Sequence, residues 1–259
     1  MAEKKITTYY LALITFLDIL FKGQPKARLK KKLIPAYKNN SLNIMRIWKN
    51  KKYNDFGTER FIRLFLAISQ FIFPGLLVRH VSGKYGLLSR KLYVELYVII
   101  KILIPILIFK LDLTSNAFMT AIIFYLMIET VLYLATLIYL SNEFAEPVSY
   151  RRSLTFLFLN FIEIVLYFAV IYSYFNNHYS NFLNKKFVTH TDAIYFSFVT
   201  SSTLGYGDYF PTSILAKRFI IFQIILFFIF VGLFLNFFAS RIQNPTYYNA
   251  GLSKNKKQQ

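Results

Sequence analysis

The stretch Thr191-Asp192-Ala193-Ile194-Tyr195-Phe196-Ser197-Phe198-Val199-Thr200-Ser201-Ser202-Thr203-Leu204-Gly205-Tyr206-Gly207-Asp208 decides how the chain is read. From Asp192 to Thr203 the residues are mostly apolar or small, enough for a short helix but too few to cross a bilayer, which takes about 20. Thr189, with Asp192 three residues on, has the spacing of a capping box that would start such a helix. The end of the stretch differs in kind, because Gly205 and Gly207 alternate with Leu204 and Tyr206 before the segment closes on Asp208. Long apolar runs flank it, Leu154 to Phe175 on one side and Phe219 to Ala239 on the other.

Composition agrees with a membrane setting. The 259 residues are 56% hydrophobic and 19% aromatic, and the mean hydropathy of +0.42 is too high for an ordinary soluble domain. Leu92 to Leu111 and Ala117 to Leu140 add two more runs of spanning length, making four. Phe61 to Val78 carries Arg63, Gln70 and a Pro74-Gly75 break, so it either spans, re-enters or lies buried against neighbours. Tyr9 to Phe21 is short, holds Asp18 and reads as an uncleaved helix, since no small-residue cleavage site follows it. The expected fold class is therefore an all-α membrane protein.

Charge is concentrated, with 31 Lys and Arg against 12 acids overall and a net charge of +19. The most basic part, Lys22 to Arg60, has 12 Lys or Arg against two acids. Within it, Ser41 precedes Leu42, Ile44, Met45, Ile47 and Trp48, interleaved with Arg46, Lys49, Lys51 and Lys52. That mixture suits an interfacial helix on anionic lipid, with a solvated basic linker as the alternative. Nucleic acid is a poorer partner, because the run abuts membrane spans and no nucleic-acid module accompanies it. The absence of Cys removes disulfide, thiolate-metal and cysteine-nucleophile chemistry. His80, His178 and His190 form no ligand-spaced pair, and Glu95, Glu129 and Glu163 fall on different helices without a metal motif. Neither an enzyme nor a small-molecule substrate is expected.

Irregular backbone at membrane depth is tolerated only where it is buried in protein or lines a water-filled cavity, so the glycine-containing stretch should line a pore. Successive carbonyls can point the same way only if alternate residues take positive φ or otherwise unusual dihedrals, which Gly205 and Gly207 reach without the Cβ penalty. Thr203, Gly205, Tyr206, Gly207 and Asp208 match T-x-G-Y-G-D, and on these residues the segment from Leu154 to Arg241 resembles the pore module of the potassium channel family. The resemblance implies that the carbonyls of Thr203, Leu204, Gly205 and Tyr206, with the Thr203 hydroxyl, replace the hydration shell of potassium ions in stacked sites of a selectivity filter that also includes Gly207. It implies that Asp208 sits at the outer mouth, that the Tyr206 ring packs behind the filter as a spacer, and that Tyr195, Phe196 and Thr200 support it from a pore helix. No organic cofactor is implied.

Some positions depart from the family pattern. Leu204 stands where Val or Ile is usual, Ser202 where Thr is common, and Tyr195-Phe196 where a Trp-rich pair is frequent. A hydrogen bond to Asp208 would then come from the Tyr195 hydroxyl. Gly232 matches a glycine position on the inner helix and is a candidate gate hinge or a site of close helix packing, whereas the usual hinge position falls near Phe227. One such loop supplies a quarter of a filter, so four copies are required, giving a homotetramer in the plasma membrane. A non-selective cation channel or a non-conducting regulatory subunit is the alternative.

The expected domain plan is a basic N-terminal region at 1–60, accessory transmembrane helices at 61–145, a pore domain at 150–242, and a polar cytoplasmic tail at 243–259. Placing the loop outside puts Arg151, Arg152, Arg241 and the Lys254, Lys256, Lys257 tail in the cytoplasm, with Arg79, His80, Lys84, Arg90 and Lys91, as the positive-inside rule asks. If Phe61 to Val78 spans, the basic region breaks that rule. The run Ala117 to Leu140 lacks the periodic Arg or Lys of a voltage sensor and carries Glu129 instead. Lys101 and Glu129 lie about 15 and 18 Å from the same loop at 1.5 Å per residue, which predicts a buried Lys101–Glu129 pair. Glu163 is expected to be a second brace, toward the pore helix.

Overall fold

The structure is a computed structural model that describes residues 34–50, 56–140 and 150–242. The run at 9–21, the residues from 22 to 33 of the basic region and the tail beyond 242 lie outside the described residues. Eight helices follow in order among the described residues: α1 Ala36–Lys49, α2 Gly57–Ser69, α3 Pro74–Gly83, α4 Leu87–Lys110, α5 Ala117–Tyr139, α6 Tyr150–His178, α7 His190–Ser201 and α8 Ile214–Ile242. No strand is formed among them beyond an isolated bridge between Leu183 and Pro211.

Among the described residues, four helices are long and apolar enough to cross a membrane: Ser89–Lys110, Ala117–Tyr139, Ser153–His178 and Ile214–Leu235. At 22 to 26 residues they reach about 33 to 39 Å, somewhat more than the hydrocarbon thickness. Among the described residues the protein is all-helical, and its apolar spans make it a membrane protein. The Phe61-to-Val78 run is not a straight span, since α2 and α3 are bent by 65° at a short break. Pro74 occupies the start of α3, where its missing N–H is no loss, and Phe73 before it is extended.

The chain divides into two compact units, Met1–Ile100 with Glu129–Ala145, and Lys101–Ile128 with Glu146–Gln259. In the first, α1 starts after Pro35 and not at Ser41, whose hydroxyl donates back to the Tyr37 carbonyl inside the helix. Ile47 packs with Leu66, Ala67 and Leu140, and the Asn40 amide donates to the Ala67 carbonyl at 2.9 Å. Met45 and Trp48 remain exposed on α1. Glu129 caps the break between α2 and α3, its Oε1 accepting from the Gly75 N–H at 2.9 Å and its Oε2 from the Tyr97 hydroxyl at 2.6 Å. A Cβ at position 75 would lie 2.7 Å from Glu129 Oε1, so a larger residue there would displace the carboxylate.

In the second unit the Lys101 ammonium pairs with Glu163 Oε1 at 3.0 Å, with both side chains buried (6% and 0% exposed). Glu163 therefore braces α6 against α4, where the sequence reading pointed it at the pore helix. Depth along a helix fixes height in the bilayer but not azimuth, so Glu163 was not legible in the sequence as a partner of Lys101. Tyr167 donates to the Lys101 carbonyl at 3.3 Å, a second tie between the same two helices. The core of this unit runs along α6, where Val165 and the whole stretch from Tyr167 to Ile171 are closed to solvent.

Candidate functional site

The stretch around Thr203 to Asp208 lies wholly in the second unit and is built outward from α7. The capping box is present: Thr189 Oγ1 accepts from the Asp192 N–H at 3.3 Å, and Asp192 Oδ2 accepts from the N–H groups of Thr189 at 2.7 Å and Val188 at 3.0 Å. These donors, the Thr189 backbone first, hold the Asp192 carboxyl below its ordinary pKa because they stabilise the charged form. The helix ends at Ser201, after which Thr203 N donates to Thr200 O at 3.1 Å and Leu204 N to Val199 O at 3.1 Å. The chain then leaves regular structure.

Three alternate residues of this stretch have left-handed backbone: Thr203 at φ +58°, Gly205 at φ +58° and Gly207 at φ +82°. Glycine supplies two of them at little cost. Thr203 is a β-branched residue in a region such residues rarely enter, and that strain was not foreseen from sequence. A Cβ at Gly205 or Gly207 would meet nothing within 4 Å, so it is the dihedral and not crowding within the chain that asks for glycine. The whole segment 202–208 is exposed in the single chain, with Leu204 at 60% and Tyr206 at 67%.

Around it stands an aromatic and polar frame. The Tyr195 and Tyr206 rings stack with centroids 6.4 Å apart and 7° between planes. Desolvation first, and the neighbouring Asp208 carboxylate second, raise the pKa of the Tyr195 phenol. Phe196 is buried against Tyr172, edge to face at 5.0 Å, and also meets Tyr209 at 6.2 Å. The Tyr209 phenol is likewise raised, by desolvation and then by the charges of Asp192 and Asp208, while the Lys185 ammonium lies 4.4 Å from its ring centroid.

Asn184 anchors the far end. Its amide donates to the Asp208 carbonyl at 3.1 Å, its side-chain oxygen accepts from Phe210 N at 3.0 Å, and its own N–H reaches the Phe210 carbonyl at 3.0 Å. Ser213 Oγ accepts from Ala216 N at 3.0 Å and so caps α8. Lys186 donates to the carbonyls of Asn176, Asn177 and Tyr179 at the end of α6, where a cation suits the helix terminus.

The residue that sequence reasoning missed is Gln223, at 1% exposure inside α8. Its amide nitrogen reaches Ser197 O at 3.0 Å, Ser197 Oγ at 2.9 Å and Ser201 Oγ at 2.6 Å. Its oxygen accepts from the Tyr172 hydroxyl at 2.6 Å, and Ser197 Oγ reaches Val165 O at 2.6 Å. The signal available in sequence was a lone Gln in an otherwise apolar span, with Ser197 and Ser201 one helical turn apart. Gly232 sits in the same helix with nothing within 4 Å of a Cβ added there among the described residues.

Residues 160–244 match a family model described as an ion channel. That segment is similar to an ion-channel domain. The match runs from Asn160 in α6 through α7 and the 203–208 stretch to just past α8, the same elements that the frame above ties together. Neither the curated proteins nor the solved structures yielded a match to the chain. The matched model describes a channel family and not an enzyme family.

Proposed function

We propose that the chain is a potassium-selective channel that conducts as a homotetramer in the plasma membrane, with the carbonyls of Thr203, Leu204, Gly205 and Tyr206 and the Thr203 hydroxyl as the ion sites. The observation that carries this reading is the left-handed backbone at Thr203, Gly205 and Gly207, directly after a capped helix too short to span. Alternation of this kind lets neighbouring carbonyls face one direction, and a row of carbonyls can stand in for the water of a dehydrated cation. The exposure of 202–208 in one chain is consistent with closure by three further copies around an axis.

Asp208 then lies at the outer mouth under the Tyr195 hydroxyl, and Gly232 is the candidate hinge of the gate. The basic face of α1, with Lys38, Arg46 and Lys49, meets anionic headgroups beside exposed Met45 and Trp48. The test is the reversal potential of the purified full chain in planar bilayers under a potassium-to-sodium gradient. A value near the potassium equilibrium potential is expected. A value near zero makes the protein a non-selective cation channel, and no current under any gradient makes it a non-conducting subunit.

A further inference from the structure

Gln223 does more than satisfy a buried core. Its carboxamide has two N–H donors and one oxygen, and the surroundings admit one orientation. The nitrogen faces Ser197 O, an obligate acceptor, and the oxygen faces the Tyr172 hydroxyl. A flipped amide would set its oxygen against the Ser197 carbonyl and lose that bond. One side chain of α8 thereby holds two successive turns of α7, at Ser197 and Ser201, and a tyrosine of α6 at once. Tyr172, Ser197, Ser201 and Gln223 are all 2% exposed or less, so no water competes for these bonds.

The position of this knot relative to the 203–208 stretch matters. Ser201 is the last residue of α7 and stands two residues before Thr203, whose backbone is already in the left-handed region. The next N–H groups, of Thr203 and Leu204, bond back to Thr200 and Val199 in the same turn. The last turn of α7 is thus the platform from which the irregular stretch departs, and Gln223 sets where that platform sits relative to α8.

We infer that Gln223 is a positioning residue for ion discrimination, holding the last turn of α7 through Ser197 and Ser201 so that the stretch from Thr203 to Gly207 starts at a fixed place. This rests on the channel reading above. Buried bonds of this kind rigidify what they join, and selection between cations of similar size depends on how closely the oxygens keep their spacing.

The experiment compares the full-length wild type with Gln223→Leu and Gln223→Glu in liposomes, measuring potassium-over-sodium permeability from reversal potentials and oligomer size in the same preparations. Gln223→Leu is expected to keep the wild-type oligomer while its permeability ratio falls about tenfold or more, since one of the several buried bonds it removes is already worth a factor of that order. Gln223→Glu, whose protonated form keeps one donor and one acceptor, is expected to fall between the two. A Gln223→Leu oligomer as selective as wild type overturns the inference while leaving the channel reading intact. Should Gln223→Leu fail to assemble, Ser201→Ala removes a single bond, and an unchanged ratio in that variant overturns it equally. A wild-type chain that carries no cation current removes the channel reading and this inference with it.

Discussion

Replacing Gly205 by alanine isolates the backbone requirement of the 203–208 stretch. Gly205 has φ +58°, and a Cβ added there would meet nothing within 4 Å, so crowding inside the chain contributes nothing to the cost. What remains is the left-handed conformation itself, about 1–2 kcal/mol for a residue with a Cβ. In a ring of four copies that becomes about 4–8 kcal/mol over the assembly, or a factor of roughly 10³ to 10⁶ against the conducting arrangement. Gly232 serves as the control, since it is also open to a Cβ but lies within α8 and has no positive φ. Alanine there should stabilise the helix by about 0.5–1 kcal/mol. The assay is potassium flux from liposomes with oligomer size measured in parallel. Gly205→Ala should assemble and fail to conduct selectively, whereas Gly232→Ala should assemble and conduct, with gating altered if the hinge assignment holds. A Gly205→Ala chain with wild-type flux and selectivity would refute the reasoning, because it would mean that the left-handed backbone at 205 is not part of the conducting state.

Asn184→Ala removes two side-chain bonds to the segment after Gly207 and should cost about 1 kcal/mol for each, seen as a lower melting temperature and faster loss of current under sustained flux. Lys101→Met or Glu163→Gln alone breaks a buried pair and should destabilise the fold by about 3–5 kcal/mol, while the double exchange Lys101→Met with Glu163→Leu should recover much of it; equal damage in single and double variants would argue against the pairing. Asp192 has a folded-state pKa below its unfolded value, so the capping box contributes stability above about pH 4 that is lost as pH falls through the lower, folded value. Thermal melting against pH should therefore show an acid-limb decrease that Asp192→Asn lacks, and identical limbs in the two proteins would contradict it.

Much of this molecule is legible because its determinants are local. The capping box depends on two residues three apart, and both partners took their places. The four spans are set by runs of apolar residues that no soluble packing could hide, and Pro74 broke the run from Phe61 to Val78 where a missing N–H and a clash with the preceding turn must break it. The alternation of positive φ at Gly205 and Gly207 followed from the glycines alone. Thr203 shares that conformation although nothing in a threonine announces it; its strain is imposed by the turn that closes α7 onto Val199 and Thr200.

Elsewhere the chain had to fold before partners were chosen. Hydropathy and helix rise place Lys101, Glu129 and Glu163 at a depth, but rotation about the helix axis and the order of helices around one another decide which charge meets which. Tertiary packing gave Glu163 to Lys101, and put Glu129 on the N-terminus of α3, against a glycine that leaves room for it. Gln223 lies 26 residues from Ser197 and 51 from Tyr172 in sequence, separations over which no periodicity carries information. The sequence alone thus determined that the chain enters the membrane and where its backbone can leave the helix, since both follow from solvation and from the presence or absence of a Cβ. Which side chains hold that departure in place was decided only by the tertiary structure, because hydrogen bonds between helices depend on facing, and facing is a property of the packed assembly of helices and not of any one of them.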